Sequence, residues 1–97
     1  MLTGKQRSYL KALAMELDPI VYIGKNEMTQ ATLDEMDRYL TAHELLKVKI
    51  QEGADLNVKE TANQAAALLK AEYVQAIGRK FVLYRRSQDA PVIVLPR

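Results

Sequence analysis

The residues in this chain whose types and spacing could do chemistry are mostly lysines and arginines, and the chemistry they suit is the recognition of phosphate. The one histidine opens His43-Glu44-Leu45-Leu46-Lys47, which lacks the second histidine of an H-E-x-x-H zinc site. It is expected at a helix end, facing the negative end of the dipole. Cysteine is absent, so a thiolate zinc site, a disulfide framework and a cysteine nucleophile are all excluded. Gly24-Lys25 is not a nucleotide P-loop, because Pro19 stands where the first glycine belongs and Asn26 where Ser or Thr would bind magnesium. The carboxylates fall mostly on the polar faces of predicted helices, where solvation accounts for them. A non-catalytic protein is expected, with no cofactor, no metal and no small-molecule substrate.

Net charge is +2, too small to mark a nucleic-acid binder, but its distribution is uneven. Residues 1 to 14 carry a net +3, residues 15 to 72 a net −5, and residues 73 to 97 a net +4. If the two ends meet on one side of the fold, they form the basic footprint that a phosphate backbone needs. The loop Gly24-Lys25-Asn26-Glu27 is a candidate contact. A short glycine loop opening a helix can bring backbone against a nucleic acid, as in KH domains, although a plain strand-to-helix connector has the same pattern. Lys25 is the first choice for a phosphate contact, being expected at a helix amino terminus where no helical reason favours a cation.

Lys47 and Lys49 share one strand face and read as a cationic side turned outward. Arg79, Lys80, Arg85 and Arg86 read as a cluster on a final hairpin. Alternation puts Lys80 and Arg86 with Tyr84, and Arg85 with Phe81 and Leu83. Exposed cations can equally serve to blunt an edge strand. Tyr84 and Tyr22 could stack on unpaired bases or pack in a core, and Lys5, Arg7 and Lys11 could extend the footprint.

These side chains need a frame. Thr3 and Gln6 have capping-box spacing, and Leu10, Leu13, Ala14 and Leu17 recur at helical intervals, so a helix is expected over 3–17, stopped by Asp18-Pro19. Ile20 to Ile23 reads as a short buried strand. A second helix is expected over 29–42, with Leu33, Met36 and Leu40 inward, and a strand over 46–50 that ends before Gly53. The alanine-rich stretch 56–72 reads as a third helix. Strands over 73–77 and 80–86 follow, joined at Gly78-Arg79, and Val92 to Leu95 is either an edge strand or a packed tail. The order α-β-α-β-α-β-β implies a compact α/β domain over residues 1–97, with helices packed on a mixed four-stranded sheet. A right-handed crossover through the second helix makes the first two strands parallel. The 24–27 loop then falls between a strand's carboxyl end and a helix start. With 48% hydrophobic and 27% charged residues the chain has the balance of a folded protein. Charges interrupt every apolar run near its amino terminus, so neither a signal peptide nor a membrane span is expected, and the cytoplasm is its expected location.

Three segments together resemble the CRM domain, the chloroplast RNA splicing and ribosome maturation family, and in particular its stand-alone, YhbY-like bacterial members. Pro19-Ile20-Val21-Tyr22-Ile23-Gly24-Lys25-Asn26 resembles the family's strand and G-K-N-G loop. His43-Glu44-Leu45-Leu46-Lys47-Val48-Lys49-Ile50 resembles its H-E-L-I-K-V-K segment, and Val74 to Arg85 its V-x-x-I-G-x-x-x-V-L-Y-R ending. The resemblance implies a fold related to the carboxyl-terminal domain of translation initiation factor three. It also implies RNA binding: bacterial members associate with large-subunit precursors, and plant members serve group II intron splicing. A free-standing chain fits the ribosomal branch better, so ribosomal RNA of an assembling large subunit is the expected partner, bound by a monomer. The alternatives are an intron-splicing cofactor and a protein-interaction adaptor on ribosomal particles. Glu27 departs from the family at the loop's second glycine.

Overall fold

The computed structural model describes residues 2–25, 28–89 and 91–97. Helix α1 (Gly4–Met15) starts on the Thr3–Gln6 capping box, in which each side chain bonds the other's backbone N–H, and it buries Leu10 and Ala14. Strand β1 (Val21–Ile23) leads to helix α2 (Gln30–His43), whose cap is Thr29. Strand β2 (Leu45–Ile50) follows directly. Helix α3 (Val58–Leu69) is shorter than its alanine-rich sequence suggests. Asn57 Oδ1 caps it by accepting from Glu60 N–H, Lys70 ends it in the left-handed region, and Glu72 already belongs to β3 (Glu72–Ile77). Strand β4 (Lys80–Tyr84) stops before Arg85, and residues 92–95 form a packed tail, not a strand.

The sheet order is β1-β2-β4-β3, with β1 parallel to β2 and the other pairs antiparallel. The expected mixed sheet and parallel first pair are thus observed. Alternation along the strands divides two cores. On one face Val21, Ile23, Val48, Ile50, Phe81 and Leu83 pack under α2 and α3. On the other, Leu45, Val74, Val82 and Tyr84 pack under α1 and the tail. The α1 face is therefore covered along much of its length but open at the end that carries Tyr22, Lys80 and Ile77, which corrects the expectation that Lys47 looks straight out to water. Lys47 is partly buried, and its Nζ donates to the Ala14 and Leu17 carbonyls at 3.1 Å each, satisfying acceptors at the end of α1.

Glu44 joins α2 to β2 with φ at 70°. Its fully buried carboxylate accepts backbone N–H bonds from Ser87, Val92 and Ile93, each at 2.7 Å, and so ties the tail to the sheet. Among the described residues, no helix is long and apolar enough to cross a membrane.

Candidate nucleic-acid interface

The cations expected to act together lie at two ends of the sheet. The loop end holds Gly24, Lys25, Lys49, Arg79 and Lys80. Ile50 N–H bonds Arg79 O, and Gln51 N–H bonds Ile23 O, which draws the β1, β2 and β3–β4 ends together. The hairpin turn that presents Arg79 and Lys80 needs Gly78, whose φ of 60° is costly for residues with a side chain. Arg85 and Arg86 lie beyond the other end of β4, about 17 Å away at the rise of an extended strand. The expected hairpin cluster is therefore divided by the length of the strand itself.

Side-chain commitments divide the set again. The Arg79 guanidinium turns inward, donating to the carbonyls of Ile50 (3.0 Å), Gln51 (2.6 Å) and Ala54 (3.2 Å), and so pins the turn after β2. Arg85 reaches the α2–α3 side, as its place beside Phe81 and Leu83 requires. It donates to Asp37 Oδ1 at 2.8 Å, to the Leu69 and Asp37 carbonyls and to Thr41 Oγ1. Arg86 is exposed and, with Lys70 and Arg97, lines a hollow of about 820 Å³ at the tail end. The chain ends do meet, since Gln6 Nε2 donates to Pro96 O, but they meet here and not at the loop end.

Lys25 is exposed, and its side chain crosses the turn at Gly53, with Cε 3.6 Å from where a Cβ would stand. It is not at a helix amino terminus. Helix α2 begins at Gln30, and Thr29 Oγ1 already accepts the Thr32 N–H, so the dipole does not bear on the lysine. Gly24 passes close to Gln51, whose Oε1 would lie 3.2 Å from an added Cβ. Asn26 and Glu27 of the expected contact loop lie outside the described residues.

The loop end contains one arrangement that types alone do not reveal. Tyr22 pairs with Lys49, Lys49 with Lys80, and Lys80 with Ile77, so the four form a row across all four strands. Their neighbours Val21, Ile23, Val48, Ile50, Phe81 and Ala76 all pack towards α2 and α3, which sets the row on the α1 face. Lys80 is exposed, Lys49 partly so, and among the described residues neither ammonium has a carboxylate partner. Glu52, in the turn after β2, is exposed at the same end of the sheet. Tyr22 is 51% exposed, whereas Tyr84 is 5% exposed and packs in the α1-side core, so of these two candidates it is Tyr22 that offers a ring to solvent. Burial and the Glu44 carboxylate raise the Tyr84 phenol's pKa, with Arg86 opposing.

Sequence reasoning missed Glu44, Met15 and Ile77. For Ile77 a signal existed: a two-residue turn at Gly78-Arg79 pairs it with Lys80. Glu44 had no such signal, because the partners of its carboxylate are backbone groups of a distant segment. Its burial raises the carboxyl's pKa, but the three N–H bonds, with Arg86 assisting, outweigh this and hold it below the usual value.

A compact α/β domain with three helices packed on a mixed four-stranded sheet defines the fold class. The chain matches the CRS1 / YhbY (CRM) domain family over residues 2–85 and belongs to that family. It is 44% identical over 97 residues to a Haemophilus influenzae protein named "RNA-binding protein", covering 99% of this chain and 96% of that one. It is 32% identical to "Probable RNA-binding protein YqeI" of Bacillus subtilis, covering 99% and 100%. The solution structure of SAV1595 from Staphylococcus aureus superposes with a TM-score of 0.83 at 38% identity, covering 99% and 100%.

Proposed function

We propose that this chain binds RNA through the loop end of the sheet, and that the RNA is ribosomal RNA of an assembling large subunit, whose maturation the protein assists. The Lys49–Lys80 pair carries the proposal. Like charges directly opposed across a strand pair are unfavourable, and an anion shared between the two ammonium groups removes the penalty. Lys25 at the adjoining loop adds a third cation to the same end. The RNA-binding names of the Haemophilus and Bacillus relatives support the partner class, and the resemblance to YhbY-like members supports the ribosomal target.

Within this proposal Gly24 lets the loop lie close to the sheet end, while Lys25, Lys49 and Lys80 meet phosphates. Arg86 offers a separate contact at the tail end. Asn26 and Glu27 keep their place in the loop by sequence position alone. Lys47, Arg79 and Arg85 hold the frame. The protein acts as a cytoplasmic monomer, by binding and not by catalysis. Fractionation of cell extract on a sucrose gradient tests the target: the protein is expected with large-subunit precursors and depleted from mature ribosomes. Absence from every ribosomal fraction would count decisively against it.

A further inference from the structure

Recognition of phosphate leaves the two ends of the lysine row without a use. At one end stands Tyr22, and at the other Ile77, 66% exposed. Beside Ile77 is Met15, the last residue of α1, 79% exposed. Met15 and Ile77 both line a hollow of about 380 Å³, together with Gln75, Lys80 and Val82. Singly exposed apolar side chains are ordinary, as Leu68 and Val94 show here, but three of them flanking two lysines make a composite surface.

Tyr22 and Ile77 are three strand spacings apart, about 14 Å. The pattern along that line is ring, cation, cation, apolar hollow. An RNA duplex presents phosphates and hydroxyls and keeps its bases stacked inside, so it would meet the lysines and leave Tyr22, Met15 and Ile77 wet. An unpaired strand presents both kinds of group, because every base has a π-face to lay on an aromatic or apolar surface. We infer that the site takes single-stranded RNA, with one base on the Tyr22 ring, another in the hollow between Met15 and Ile77, and the intervening phosphates at Lys49 and Lys80. This rests on the RNA-binding proposal and names the form of RNA that the site selects.

The test titrates the full chain with a short unstructured oligoribonucleotide and with an RNA duplex of equal length, at two salt concentrations. The single strand is expected to bind more tightly. Tyr22→Ala, and Met15→Ala with Ile77→Ala, should each weaken single-strand binding about ten-fold while leaving duplex affinity and the salt slope unchanged. Lys49→Gln with Lys80→Gln should weaken both RNAs and flatten the slope. These side chains are solvent-exposed or partly so, and unchanged circular dichroism confirms folding. Preference for duplex, or full single-strand affinity in both apolar variants, overturns the inference. The RNA-binding proposal survives that outcome if the lysine variant still loses affinity, and fails separately if it does not.

Discussion

A guanidinium already bonded inside the protein is withheld from phosphate, and Arg85 is such a group. Its four hydrogen bonds join β4 to α2 and to the end of α3; the guanidinium is 20% exposed, while its Asp37 partner is 58% exposed. Arg85→Ala should therefore lower unfolding stability by about 1–2 kcal/mol, since the part-buried Thr41 hydroxyl and Leu69 carbonyl lose a shared donor, while the exposed Asp37 pair adds little. RNA affinity of the folded fraction should stay the same. Lys80→Gln should do the reverse, with an unchanged urea midpoint and weaker binding. Glu44 is the other residue whose chemistry is internal. Folding depresses its pKa, so its stabilisation is fully present above the ordinary value of 4.5 and is lost as pH falls through the lower folded value. Unfolding free energies of wild type and Glu44→Gln, from urea titrations, should differ by about 1–3 kcal/mol near neutrality and converge in acid. A gap that persists at low pH would mean that the carboxylate's charge does not hold the tail.

At the scale of elements, Lys47 illustrates what a strand pattern conveys and what it omits. Leu46-Lys47-Val48-Lys49-Ile50 reads correctly as a strand with its aliphatic residues on one face. Alternation cannot say whether a helix covers the other face, so a lysine capping α1 and a lysine facing solvent look alike. Lys47→Met should cost about 1 kcal/mol by leaving the Ala14 and Leu17 carbonyls without their charged donor. A salt slope identical to wild type, measured against the same RNA, would confirm that its role is structural. Helix positions, the parallel first strand pair and the Gly78 turn were legible, because capping boxes, apolar periodicity and turn chemistry are local. The two-ended division of the arginines was not. It depends on strand length and on which carbonyls come within reach of each guanidinium, both consequences of the assembled sheet. The row from Tyr22 to Ile77 needed the register of all four strands, and the β2–β4 pairing that sets Lys49 beside Lys80 is long-range, fixed by neither the β1–β2 crossover nor the Gly78 turn.

Over the whole molecule, charge is segregated by element. Helix α2 exposes Asp34, Glu35 and Asp37, and α3 adds Glu60, partly offset by Arg38 and Lys59. The helix α1 layer, on the same side of the sheet as the lysine row, exposes Lys5 and Lys11, offset at its end by exposed Glu16 and Asp18. In the proposed binding mode a nucleic acid is turned towards the α1 face before any bond forms, and the loop end then offers Lys25, Lys49 and Lys80. The measurement that tests this most directly is the salt dependence of affinity for a large-subunit ribosomal RNA fragment, compared between wild type and Lys25→Gln/Lys49→Gln/Lys80→Gln. Each phosphate no longer neutralised by a lysine takes about 0.7–0.9 from the slope of log affinity against log salt, so the triple variant should bind more weakly with a slope shallower by about 2 to 3. An unchanged slope in a folded triple variant would contradict the account, because the RNA would then have to be held elsewhere on the domain.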